Sequence, residues 1–149
     1  MLGKLNDKQI DSLLHSQVMG RLGCCANGRA YVVPVTYVYD GKHIICHSRE
    51  GLKLEMMRKN PEVCFETDMI ENMANWQSVI VWGTFKELTG EEAKIAMGKL
   101  IDRVKPMLTS ETAQPHEPGE SHDRRENLGF TAIVYEIEVK EKTGRFEKR

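Results

Sequence analysis

No stretch of this sequence stays apolar for the roughly 20 residues that a bilayer-crossing helix needs. The N-terminal MLGKLNDKQI also lacks the apolar core of a secretory signal. Both absences lead to the expectation of a cytoplasmic chain with no membrane partner. Charge of one sign is missing too. The 21 Lys and Arg against 22 Asp and Glu leave a formal net charge of −1, and without a basic stripe no nucleic-acid partner is expected. Cysteine is sparse. Cys24, Cys25, Cys46 and Cys64 form no CxxC pair, which excludes a zinc ribbon or a thioredoxin-like motif. All four sit in apolar, strand-like runs and read as small buried hydrophobes, not as a disulfide framework. Neither a repeat nor a linker divides the 149 residues, so one domain over 1–149, with its own core, is expected.

What is present is strand periodicity punctuated by turns. A first helix, capped by Asn6 or Asp7, carries Ile10, Leu13, Leu14 and Val18 at helical spacing and ends at Gly20. Strands are expected at 21–26, 30–39 and 43–48, joined by the hairpin signals Asn27-Gly28 and Asp40-Gly41. The period then changes. Residues 51–60 read as a short helix with Leu52, Met56 and Met57 inward, stopped by Pro61. Strands follow at 62–68 and 76–88, then a helix opened by Thr89 and ending before Pro106, and a last strand at 130–139. This pattern is mainly β within an α+β class: a six-stranded antiparallel barrel of meander and Greek-key strands with peripheral helices. The second strand is apolar on both faces, Val33, Val35, Tyr37 and Tyr39 against Val32, Pro34, Thr36 and Val38. One face must be barrel interior and the other must meet a helix, a ligand or a second subunit. Pro34 removes a ladder donor and places an interruption of the barrel near itself.

The chemistry-bearing segment is His47-Ser48-Arg49-Glu50-Gly51-Leu52-Lys53, where a strand end meets a helix start. A phosphate wants that geometry: unpaired N–H groups, a hydroxyl and nearby cations. Lys53 is a cation in the first turn of a helix, an unfavourable place unless an anion is bound there. The alternative is a solvated charged turn. The polar stretch 109–129, with His116, His122 and the Arg124-Arg125 pair, reads as a solvated loop; no metal site is expected. Trp82 is equally consistent with barrel core, a dimer interface or a ligand neighbour.

Five segments in order carry a resemblance: Tyr31-Val32-Val33-Pro34-Val35-Thr36-Tyr37-Val38-Tyr39-Asp40-Gly41, Ile45-Cys46-His47-Ser48, Gly51-Leu52-Lys53-Leu54-Glu55, Lys59-Asn60-Pro61-Glu62-Val63-Cys64-Phe65 and Trp76-Gln77-Ser78-Val79-Ile80-Val81-Trp82-Gly83. Together they resemble the pyridoxamine 5′-phosphate oxidase-related FMN-binding split barrels, nearest to the nitroimidazole-resistance branch. The resemblance implies a six-stranded split barrel that forms a homodimer, with FMN, or alternatively FAD, in clefts between the subunits. It implies that Val33, Val35 and Thr36 line the isoalloxazine, that His47, Ser48 and Lys53 hold the phosphate, and that Trp76 and Ser78 border the flavin. No catalytic side chain is implied. The function implied is reduction of a small-molecule substrate, such as a nitro compound, with NADH, NADPH or another donor. A non-catalytic flavin carrier or redox sensor is the alternative, and haem binding a third. The C-terminal segment, from Lys142 to Arg149, lacks the arginine–histidine pair with which the oxidases grip a substrate phosphate. Oxidation of pyridoxamine 5′-phosphate is therefore not expected.

Overall fold

The structure, a computed structural model, describes residues 1–107 and 132–149. The expected loop residues His116, His122, Arg124 and Arg125 lie outside these. The described elements are β1 (Leu2–Lys4), α1 (Asp7–Ser16), β2 (Met19–Ala26), β3 (Arg29–Thr36), β4 (Val38–Tyr39), β5 (His43–Ser48), α2 (Leu52–Lys59), β6 (Glu62–Asn72), β7 (Asn75–Leu88), α3 (Gly90–Val104) and β8 (Ile133–Glu147).

All strands join one antiparallel sheet in the order β3-β2-β6-β7-β8-β5-β4, with β1 added on β8. β3 and β4 are consecutive in the chain yet stand at opposite ends of that order. The ring is therefore closed by the covalent chain at Tyr37, not by a ladder. This is a split barrel. Six long strands match the expected six once β3 and β4 are counted as one broken strand; β1 is additional. The break falls at Tyr37 and not at Pro34. Pro34 stays in register opposite Arg21, because β3 is an edge strand where a missing donor removes no second ladder bond. Tyr37 is fully buried and its hydroxyl donates to the Leu14 carbonyl at 2.7 Å, which pins the break onto α1.

The turns follow their residues. Asn27 and Gly28 both take positive φ, 53° and 77°, and Ala26 pairs with Arg29 across them, as a type I′ hairpin requires. At Asp40-Gly41 the loop is longer. The Asp40 carboxylate accepts from the backbone N–H of Lys42 and His43 at 2.8 and 2.6 Å, an Asx-type turn. Helix α1 opens with a reciprocal capping box between Asn6 and Gln9. It ends at Ser16, so Val18 and Gly20 belong to the connection and to β2, not to the helix.

The interior is one cluster that includes Leu22, Val35, Tyr37, Ile44, Leu54, Met57, Phe65, Val81, Tyr135 and Ile137. A second, smaller cluster seats α3 through Ala93, Ala96, Met97 and Leu100 on Ile45, Leu88 and Val134. One inward expectation is corrected: Leu52 is exposed and Leu54 takes its place in the core. On α3 the alanines turn toward the sheet and Ile95 is exposed. The cysteines divide in the same way. Cys24 and Cys46 are buried, while Cys25 and Cys64 are exposed and all four are free thiols, since alternate residues of a strand point to opposite faces. No helix among the described residues is long and apolar enough to cross a membrane.

Candidate functional site

The β5–α2 junction forms as its residues suggest. β5 ends at Ser48, Gly51 is the N-cap of α2, and among the described residues no side chain caps that helix. The first-turn N–H groups of α2 are thus left to whatever anion or water approaches them. Glu50, the carboxylate nearest in sequence, is drawn away. Its two oxygens accept from Arg58 Nη1 and Nη2 at 2.8 and 2.6 Å, and Arg58 also binds Glu87 at 2.9 Å. Ser48 Oγ donates to the Arg49 carbonyl at 2.7 Å.

Lys53 and His47 are both half-buried and stand close enough to repel each other. Burial, and then the Lys53 charge, holds the His47 imidazole below its ordinary pKa. Burial likewise depresses Lys53, against a weaker opposing pull from the Cys46 and Cys24 thiols. Burial pushes the Cys46 thiol itself up to about 12, so it remains a neutral neighbour. Burial disfavours the charged form of both groups, and the Lys53 charge disfavours a charged His47 further. An anion between them relieves both. A phosphate fits this donor set.

The other candidates lie elsewhere. Val35 is buried and Val33 half-buried against the core, so their side chains face the barrel interior. Only the β3 backbone can face a ligand there, and β3 pairs with β2 alone among the described strands. Thr36 points the other way, with Oγ1 3.2 Å from Met19 Sδ. Ser78 and Trp76 also lie on the outer face of the sheet. Ser78 Oγ donates to Glu66 Oε1 at 3.4 Å, and Trp76 Nε1 donates to Glu147 Oε2 at 3.3 Å. Trp82 is on that face too, 42% exposed, which removes barrel core from its three possible roles.

The candidates thus form two groups. Ser48 pairs with Ile133, whereas Ser78 pairs with Arg145 and Trp76 with Glu147. Ser48 is thus paired near the start of β8, and Ser78 and Trp76 near its end. Sequence reasoning passed over Glu66, Asp68 and Arg21, which cluster beside Ser78. Arg21 Nη1 lies 3.2 Å from Asp68 Oδ2 and 3.6 Å from Glu66 Oε2. Their strand spacing alone, Glu66 and Asp68 on one face of β6, could have revealed the pair.

Comparison with known proteins agrees with this architecture. A family model described as pyridoxamine 5′-phosphate oxidase matches residues 6–146. A crystal structure of an FAD-binding protein from Mesorhizobium loti superposes over 100% of this chain and 98% of its own, at 23% identity and a TM-score of 0.79. A candidate 5-nitroimidazole antibiotic resistance protein from Bacteroides thetaiotaomicron superposes over 98% of this chain and 87% of its own, at 18% identity and a TM-score of 0.74. At these identities the likeness is one of fold. An uncharacterised protein of Rhizobium meliloti (strain 1021) is 37% identical over 70 residues, which are 47% of this chain and 46% of that relative. The match thus spans about half the length of that relative.

Proposed function

The chain belongs to the pyridoxamine 5′-phosphate oxidase family, matched from residue 6 to residue 146, and from that premise we propose that it binds FMN at a site shared by two copies and serves as a flavin-dependent reductase of small molecules. The observation that carries the reading is the β5–α2 junction: a helix start with no side-chain cap among the described residues, and a half-buried Lys53 whose charge is felt by His47. Lys53, the N–H groups of the first turn of α2 and Ser48, on rotation of its hydroxyl, would hold the phosphate. The free edge of β3 from Val33 to Thr36 would run beside the isoalloxazine. Bound there, a flavin supplies hydride or electron transfer, and the protein supplies binding and orientation.

The separation of the two candidate groups supports a homodimer. Ser78 and Trp76 lie on the outer face of the sheet, paired with the far end of β8 from Ser48, so a mononucleotide held at the β5–α2 junction would meet them most directly from a second copy. The same residues on a second copy can meet it if the cleft lies between subunits. The FAD-binding relative keeps a dinucleotide in play, since an adenylate extension could continue past the phosphate into solvent. A nicotinamide nucleotide is the natural donor for such a flavin, and a nitro compound a suitable acceptor. Pyridoxamine 5′-phosphate is a poor candidate, because the C-terminal segment is committed to the sheet. Lys142 Nζ is held by Asp11 Oδ1 at 2.6 Å and Arg145 stands in ladder register with Ser78.

The test is the visible spectrum of the purified protein, followed by titration with FMN and riboflavin. Flavin absorbance with FMN bound at least about tenfold more tightly than riboflavin is expected, since one charge-assisted phosphate contact contributes about 1.5–3 kcal/mol. Equal affinity for the two would move the phosphate away from Lys53. A colourless protein that takes up neither would end the flavin reading.

A further inference from the structure

Three charged residues from three parts of the chain meet through one guanidinium. Glu50 precedes Gly51, the N-cap of α2, Arg58 stands in the last turn of that helix, and Glu87 is near the end of β7. Arg58 Nη1 and Nη2 donate to the two oxygens of Glu50 at 2.8 and 2.6 Å. Nε and Nη2 of the same group donate to the two oxygens of Glu87 at 3.2 and 2.9 Å. Both pairs are two-pronged, the geometry in which an arginine fixes the direction of a carboxylate. Glu87 belongs to a strand in register with Tyr135 of β8, so the guanidinium is anchored on the barrel wall. Glu50 lies between β5 and α2, in neither element, and its carboxylate takes its position from Arg58.

Stability does not account for this clamp. The side chains of Glu50 and Arg58 are 58% and 36% exposed, and exposed ion pairs contribute little. What the clamp decides is where the Glu50 carboxylate points. Released, that carboxylate has another partner close by. The first-turn N–H groups of α2 attract anions, and no described side chain caps them. The ground beside the N-cap is open, since a Cβ built on Gly51 would meet no atom within 4 Å. A carboxylate tethered one residue before the N-cap would compete with a phosphate for the same donors, and would repel it.

We propose that Arg58 is a positioning residue for the phosphate: by holding Glu50 it keeps a built-in competitor away from the start of α2. The inference rests on the phosphate reading above and adds the residue that keeps that site clear. Arg58 acts through Glu50 and does not itself touch the ligand. Glu55, the acidic residue in the first turn of α2, is exposed and is the same in every variant below, so it does not enter the comparison.

The experiment titrates the full chain with FMN and with riboflavin in four forms: wild type, Arg58→Ala, Glu50→Gln and the double variant. A denaturant midpoint is measured for each. Arg58→Ala is expected to weaken FMN about three- to tenfold, roughly the effect of one unit charge a few ångströms away in surroundings close to water. Riboflavin, which has no phosphate, should be nearly unchanged. Glu50→Gln alone should keep the wild-type affinity for FMN, and the double variant should recover it. Arg58→Lys keeps the charge without the fork and gives a milder form of the test: a smaller deficit, again repaired by Glu50→Gln. It replaces Arg58→Ala if that chain does not fold. A deficit that riboflavin shares, or that Glu50→Gln does not repair, would make Arg58 a structural strut and overturn the inference. FMN affinity unchanged in both Arg58 variants would overturn it too, and either result leaves the phosphate site standing. Equal affinity of the wild type for FMN and riboflavin would remove the site, and the inference with it.

Discussion

Lys53 lies in the first turn of α2, half-buried and beside a second potential cation, His47. Among the described residues no carboxylate forms an ion pair with it. Replacing Lys53 with alanine is therefore expected to cost little stability and to weaken FMN by about tenfold or more, with riboflavin nearly unchanged. Paired titrations check this, and equal losses for both ligands would contradict it. Glu66 carries a second prediction, for stability. Its carboxyl is raised from the ordinary 4.5 to about 7, chiefly by burial. Between those values the folded chain holds a proton that the unfolded chain has lost, so this contribution to stability fades as pH rises from about 4.5 to 7. Glu66→Gln should gain on the wild type in denaturant midpoint as pH rises from about 5 to 8. A constant gap would contradict it. At this scale the sequence was informative where the role is local. The junction that carries His47, Ser48 and Lys53 is contiguous and is readable as strand end plus helix start. The Glu66–Asp68–Arg21 cluster was not, because Arg21 comes to Glu66 only through the β2–β6 ladder, a pairing of distant segments that no local pattern encodes.

Elements were legible in proportion to their punctuation. Asn27-Gly28 fixed the β2–β3 hairpin, and β5 came out with the bounds its alternation suggested. The broken strand was placed three residues early because Pro34 looked like the obstacle, whereas an edge strand accepts it and Tyr37 makes the break. The expected last strand ends at Val139. In the structure β8 runs on to Glu147, with Gly144 packed beneath Leu5 and Ile10 and Lys142 anchored on Asp11. Three-residue β1 has too little pattern to be seen and exists through its pairing with β8. Two substitutions test these elements. Asn6→Ala removes one arm of the α1 capping box and should lower stability by about 1 kcal/mol. Gly20→Ala should cost more, because an added Cβ would lie 2.2 Å from the Phe65 ring and 2.8 Å from the Glu66 carbonyl, and neither can retreat cheaply from a packed barrel. Urea denaturation of both variants gives the comparison. A Gly20→Ala protein as stable as the parent would contradict the packing.

For the whole molecule the decisive feature is the split. Closing the ring through the chain at Tyr37 leaves β3, among the described residues, with one unpaired edge and leaves the outer face of β3, β2, β6 and β7 without a covering helix there. The two-sided apolar pattern of β3 forecast that something must cover the second face. It could not say where the cofactor residues would fall, since that depends on which ends of β5, β7 and β8 lie together. The central claim is that Lys53 of one copy and Ser78 with Trp76 of another hold the same flavin. Mixed dimers test it most directly. Lys53→Ala protein and a Trp76→Ala/Ser78→Ala protein, each weak in FMN binding alone, are refolded together and the mixed dimer is isolated by differential tags. A shared site leaves one cleft of the mixed dimer intact and the other doubly damaged, so one tight FMN per mixed dimer is expected. No tight FMN in the mixed dimer would mean that each site is built within one chain, and would contradict the account.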